Sequence, residues 1–540
     1  MLSPAPHLDD SAAHYDLLVR GGTVYDGCGT LPRVTDVAVQ GGRIAAVGDL
    51  SQASATRTIS AAGKFVCPGF IDIHTHSDLS LLYTPGMDSS LAQGVTTEVV
   101  GNCGFSLALA RPDAMFAQEQ RGLERGGITL DWSDLPGFLR RIEDSGIAIN
   151  VATLAGHGTL RKRAMGFADR LPDAAELTTM RRDLTDALAA GAIGLSSGLE
   201  YVPGMYADIA EMTALAKVAA EAGGFYATHL RDEGDHLEAA VTEAIAVAEG
   251  AGVPLQLSHH KAEKPRNWGK VVKTLAMVDD AQKRGLDILL DQYPYTAYQT
   301  GLATIALPPW AVGGTPLEMA RKLRDPDVRA RARLGMGSVN YGVVEIASCA
   351  AHREYQGRTV QELAREAGAD PRDWVLDLLT TTDGWISAAH FALSEEDVEY
   401  VMRDPRVMIG SDAVAISPIG PASVDRPHPR SYGTFARIFA RYVREKSVLS
   451  YEEAIRRMTT LPAARIGLRD RGQVAPGFAA DLVVFDPAAI TDTATFAVPH
   501  ALAVGIELVV VAGEVAFRDG IATGARAGRV LRRSSALPLL

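Results

Sequence analysis

Residues 70–80, FIDIHTHSDLS, open as an apolar strand that stops at His74-Thr75-His76, with acids at Asp72 and Asp78. Side chains alternate along a strand, so positions 74 and 76 point the same way. Two imidazoles at the C-terminal end of a strand make half of a metal site, although two partly buried histidines bonded to backbone would read alike. The rest of the chain decides between these readings.

Seven more runs of the same texture follow. They end at GVTTEVVGNCG (94–104), INVATLAGHG (149–158), AIGLSSGLEY (192–201), GFYATHL (224–230), PLQLSHHK (254–261), LDILLDQYPY (286–295) and RVMIGSDA (406–413). Ala-rich helical stretches such as AAELTTMRRDLTDALAAG (174–191) and EMTALAKVAAEAGG (211–224) alternate with them. Eight strand–helix units predict an α/β fold, a (β/α)₈ TIM barrel over 66–470. The interval from about 297 to 385 is too long for one crossover and reads as an inserted subdomain that caps the site. Residues 1–65 and 471–540 share short strands and Gly-rich turns, as in DLLVRGGTVYDG (16–27) and GIELVVVAGEVAFRDG (505–520). Neither part is large enough to bury two sheets alone, so the two termini are expected to build one small β-sandwich. The basic tail from 524 onward reads as a loosely held, solvated end.

In a barrel the C-terminal strand ends meet at one mouth. His74 and His76 close strand 1, Cys103 strand 2, His157 strand 3, His229 strand 5, His259 strand 6 and Asp412 strand 8. A soft thiolate with two imidazoles suits Zn²⁺, so Cys103, His229 and His259 are the expected ligands of one tight site. Three ligands leave a fourth position for water. His74 and His76 would complete a second, weaker site or orient substrate. Asp412 is the candidate general base, taking a proton as water attacks a carbonyl carbon and returning it to the departing amine. His157, in a Gly-flanked turn, reads equally as a substrate donor or a structural residue. His260 and His390 read as packing residues, as do Cys28, Cys67 and Cys349.

These segments resemble the amidohydrolase superfamily, marked by HxH on strand 1, histidines on strands 5 and 6 and Asp on strand 8. Within it, the Cys of GVTTEVVGNCG, together with SSGLEYVPG, THLRDE, SHHK, DQYPYTA, GSDA and HPRSYGTFAR, is similar to the D-aminoacylase (N-acyl-D-amino-acid deacylase) branch. The resemblance spans nearly the whole chain. It implies hydrolysis of N-acyl-D-amino acids, one tightly held metal at the Cys/His/His position, and a weakly filled HxH site. It also implies that Lys261, Arg430 and a tyrosine of DQYPY, Tyr293 or Tyr295, grip the α-carboxylate; charge-assisted and neutral donors suit that task. Tyr201 would touch the acyl or oxyanion side. The chain departs from the pattern in a longer connection between Asp412 and Arg430. TGLATIALPPWA (300–311) carries no positive charge, which points to an apolar side-chain pocket if this loop lines it, unless Arg426 supplies charge.

Three other readings compete. One is a cyclic-amide hydrolase, which would need a carboxylated lysine that has no evident place here. Another is hydrolysis of a specialised amide, or amide condensation, on the same centre, and the third is a metal-binding scaffold without catalysis. The net charge of −12 over 540 residues argues against nucleic acid or an anionic membrane as partner. No run of about 18 uncharged apolar residues and no signal-peptide pattern occurs, and four cysteines are too few for a disulfide framework. A cytoplasmic enzyme acting on a small N-acyl amino acid is therefore expected; nothing in the sequence sets the oligomeric state.

Overall fold

The computed structural model describes residues 14–532 apart from 338, 383 and 384. Its centre is a barrel of eight parallel strands: β1 (Phe70–Asp72), β2 (Val95–Val100), β3 (Asn150–Thr153, continued by Ala155–Gly156), β4 (Gly194–Gly198), β5 (Phe225–His229), β6 (Leu255–Leu257), β7 (Ile288–Gln292) and β8 (Val407–Ile409). Each pairs in parallel with its successor as far as β7, which pairs with β8. A parallel bridge between Thr75 and Ala413 closes the ring. All eight expected strands are present. They were readable because parallel strands are covered on both faces: every residue of VTTEVV in β2 and FYATH in β5 is buried.

Helices cover the outside. Ala174–Ala189 begins in a capping box between Asp173 and Glu176 and buries Met180, Leu184, Ala187 and Leu188, spaced as one helical face requires. Asp208 caps Ile209–Glu221 through the Glu211 amide.

Between β7 and β8 the chain builds an inserted unit around an antiparallel sheet of Tyr298–Gly301, Ser387–His390 and Val344–Ser348. It has its own apolar core, which includes Leu302, Leu323, Ile346, Val375 and Leu379. The central strand, Ser387–His390, ends at His390, whose Nδ1 meets Tyr298 OH at 2.9 Å.

Both ends of the chain enter one nine-stranded sheet. Phe65–Pro68 pairs antiparallel with Leu482–Phe485, joining N-terminal to C-terminal strands. The Ala480 amide donates to Gly42 O at 2.9 Å, so the far hairpin folds back over the sheet. Leu17, Val37 and Val39 thereby share a core with Val484, Leu508 and Val510.

Two expectations are corrected. The tail is not a loose end as far as it is described: Val151 N donates to Arg529 O at 2.9 Å and Leu531 N to Val151 O at 2.7 Å, so the segment docks on β3. Residues 533–540 lie outside the described residues. Cys28 is exposed, whereas Cys67 and Cys349 are buried.

Candidate metal centre

The HxH stretch continues β1 between its neighbours. Thr75 N donates to Val99 O at 3.0 Å and His76 N to Ala413 O at 2.7 Å. Asp72 ties the two closing strands together, its Oδ1 accepting from His74 N at 3.2 Å and Ser411 N at 2.9 Å. Asp78 steadies the loop of Cys103 by accepting from Gly101 N and Leu107 N, both at 3.2 Å.

Three residues at the mouth have left-handed backbone: Cys103 (φ 50°), His259 (φ 34°) and Asp412 (φ 51°). Non-glycine residues occupy this region at a cost on the order of 1 kcal/mol each, and such strain gathers at functional sites. Glycine neighbours let the strand ends crowd together. A Cβ on Gly101 would stand 2.3 Å from Leu154 O, and one on Gly410 would stand 2.8 Å from His74 Cβ.

Of the seven residues expected at the strand ends, six come together and His157 does not join them. Cys103 Sγ is 3.3 Å from His74 Nε2 and 3.4 Å from His259 Nε2, and His229 Nδ1 is 2.9 Å from His259 Nε2. Asp412 Oδ1 is 3.0 Å from His76 Nε2 and 3.6 Å from His74 Nε2. Two donor sets share Cys103: one with His229 and His259, the other with His74, His76 and Asp412. Tetrahedral zinc with ordinary Zn–S and Zn–N bonds would space S and N by about 3.5 Å and two nitrogens by about 3.3 Å. The Cys/His/His set is close to that spacing.

Electrostatics point the same way. Burial raises the Cys103 thiol, but His74 and His259 outweigh it and hold the group well below the ordinary thiol value. Burial opposes charge on His76 and His229 as well, yet Asp412 and Cys103 lift His76 to about 9, and Glu233, Cys103 and Glu200 lift His229 to about 10. A thiolate and several carboxylates thus demand positive charge at the centre, which a divalent cation supplies. Asp412 is held well below the carboxylate range: Arg430 and His259 outweigh burial.

Carboxylates behind the histidines went unrecognised in the sequence. Glu200 Oε2 accepts from His229 Nε2 at 2.8 Å, Asp291 Oδ1 lies 3.1 Å from His74 Nδ1, and Glu233 Oε1 lies 3.0 Å from His259 Nδ1. Such partners fix which ring nitrogen faces a metal. Their signal was in plain view, since each sits in a segment beside a histidine strand end: GLEY, DQYPY and THLRDE.

Among the other expected residues, Lys261 Nζ is 2.6 Å from Glu233 Oε2 and 2.8 Å from His259 Nδ1. Its approach does not come from strand alternation, because β6 ends at Leu257 and His259 turns the chain. Arg430 Nη1 pairs with Asp412 Oδ2 at 2.6 Å. Tyr293 lies between these cations, 5.7 Å from Lys261 Nζ and 4.8 Å from the Arg430 guanidinium, and its buried hydroxyl has no hydrogen-bond partner among the described residues. Tyr295 turns away, under Arg437, with its hydroxyl 3.4 Å from Pro429 O. The Tyr201 ring lies 4.7 Å from the His229 ring, just beyond β4. His157 is fully buried, and Glu211 holds its Nε2 at 2.9 Å, which ties it to a covering helix. His260 bonds Thr274 at 2.8 Å, outside the centre.

A barrel with donors of this kind at the C-terminal strand ends defines the amidohydrolase class, whose family model matches residues 57–517; the chain belongs to the amidohydrolase family. Within it, the chain is similar to N-acyl-D-glutamate deacylase of Alcaligenes xylosoxydans xylosoxydans, 39% identical over 522 residues and 97% of each chain. It is similar as well to D-aminoacylase of the same organism, 38% identical over 97% of this chain and 98% of that one. Among solved structures, N-acyl-D-glutamate deacylase from Bordetella bronchiseptica, complexed with zinc and a phosphonate mimic of the tetrahedral intermediate, matches with a TM-score of 0.82. That match is 37% identical and covers 96% of this chain and 100% of the other.

Proposed function

We propose that the protein is a zinc-dependent hydrolase that splits the amide bond of N-acyl-D-amino acids into a carboxylic acid and a free D-amino acid. The observation that carries this reading is the Cys103, His229 and His259 donor set beside an ionised Asp412 at one barrel mouth. The D configuration rests on similarity to deacylases of D-amino-acid derivatives. A carboxylated lysine has no position on β4, whose sequence is GLSSG, which weighs against the cyclic-amide reading.

Cys103, His229 and His259 would hold the tight zinc; His74 and His76, with Asp412, would offer a weaker second position. Zinc bound there supplies Lewis-acid activation of water and of the amide carbonyl. Asp412 Oδ1, beside His76, takes the proton of the attacking water and returns it to the leaving nitrogen. Lys261, Arg430 and the Tyr293 hydroxyl orient the α-carboxylate. For Arg430 to do so, it must share its charge between Asp412 and substrate. Tyr201 lines the acyl side, and His157 contributes only through Nδ1, since its Nε2 is engaged.

Four free thiols suit a reducing compartment, and we place the protein in the cytoplasm. No helix among the described residues is long and apolar enough to cross a membrane.

Zinc-free protein should regain turnover of N-acetyl-D-methionine as about one Zn²⁺ per chain is restored, with N-acetyl-L-methionine left intact. Zinc uptake without release of amine from any N-acyl amino acid would favour the scaffold reading.

A further inference from the structure

A cavity of about 880 Å³ lies between the barrel mouth and the inserted unit. Glu200, the partner of His229, forms part of its wall, and Trp268, Leu307, Met336 and Val343 give it apolar sides. Three lysine or arginine side chains line it, and each is already matched. Arg231 meets Glu243 at 2.8 Å, Lys264 meets Glu263 at 2.5 Å, and Arg266 meets Asp235 at 2.6 Å. The Arg231 guanidinium is tied further to Met205 O and Ala207 O. Burial pushes the His390 imidazole down to about 4, so it stays neutral. Arg426 of the long connection lies outside the lining and donates to Phe496 O and Ala497 O. Glu200 and Asp232 line the cavity without a lysine or arginine ion-pair partner among the described residues.

We infer that the substrate side chain entering this cavity carries no negative charge, so that the enzyme takes N-acyl derivatives of apolar and uncharged D-amino acids and rejects those of D-glutamate and D-aspartate. This rests on the deacylase reading above. Overall similarity does not separate these substrates, because N-acyl-D-glutamate deacylase and D-aminoacylase stand almost equally near. The physical reason is local. Lys261 and Arg430 are already assigned to the α-carboxylate. A second carboxylate would lose its water and meet either two acids that no lysine or arginine neutralises or a cation whose release strands another carboxylate.

N-acetyl-D-glutamine and N-acetyl-D-glutamate have nearly the same shape and differ in charge. The expected result is a kcat/KM for the glutamine and methionine derivatives about 10²-fold or more above that for the glutamate derivative. Equal rates, or a glutamate preference, would overturn the inference. Calorimetric titration of both ligands into zinc-loaded Asp412→Asn protein, in which turnover is slowed, reads the same preference as binding. Tighter binding of the glutamine derivative supports the inference; equal affinity, or binding of neither, overturns it. Failure of the wild-type enzyme to hydrolyse any N-acyl-D-amino acid would instead defeat the deacylase reading.

Discussion

Glu233 stands between Lys261 and His259, with Oε2 2.6 Å from the ammonium and Oε1 3.0 Å from the imidazole Nδ1. One buried carboxylate therefore holds a candidate zinc ligand and a candidate substrate clamp. Burial opposes its ionisation, but Lys261, His229 and His259 hold its pKa well below the ordinary value. Glu233→Gln should weaken zinc binding about 10–100-fold, as loss of a ligand's hydrogen-bond partner commonly does, and raise KM together with it. Competition against a zinc-binding dye, measured beside steady-state kinetics, checks both; a rise in KM at unchanged zinc affinity would place Glu233 with Lys261 alone.

Cys103→Ala removes the donor shared by both sets and should abolish zinc retention and turnover together. Elemental analysis of the purified variant checks this. Full zinc with full activity would dismiss Cys103 as a ligand.

Asp412→Asn should retain zinc and lose turnover by about 10²-fold or more, the range for removal of a general base. Near-normal kcat in the zinc-loaded variant would mean that another group moves the proton.

Arg430→Met should reduce the preference for N-acetyl-D-methionine over its neutral amide, acting mainly on KM. Truncating one member of a buried, hydrogen-bonded charge pair costs about 2–5 kcal/mol. Because Arg430 also pairs with Asp412 at 2.6 Å, a smaller fall in kcat should accompany it. Tyr293→Phe removes only a hydroxyl and should raise KM with little effect on zinc. Acid and amide hydrolysed equally well by the wild-type enzyme would remove the carboxylate clamp.

Most of the barrel was legible because its signal is local. Fully buried parallel strands read as short apolar runs, and each ends in polar residues where the mouth begins. Barrel geometry then brings residues as distant as His76 and Asp412 together, although 336 positions separate them. What escaped was non-local or conformational. Nothing in SHHK announces that His259 adopts a left-handed backbone, the turn at which Lys261 comes to lie beside it. The pairing of Lys261 with Glu233 depends on two loops meeting, as does the docking of Leu531 on Val151. That Tyr293, and not Tyr295, lies between Lys261 and Arg430 likewise depends on how distant segments meet.

The terminal sheet bears on how the chain is born. Lys64 reaches Asp486, 422 residues later, and Phe65–Pro68 has Leu482–Phe485 as its partner strand. During synthesis the N-terminal strands emerge first and wait with an unpaired edge until nearly the whole polypeptide has left the ribosome. Closing so long a loop adds little to the final cost, since that cost grows only logarithmically with length, but it delays completion. Release of a nascent chain that stops before residue 482 should therefore yield aggregation-prone material, even though all eight barrel strands have been made.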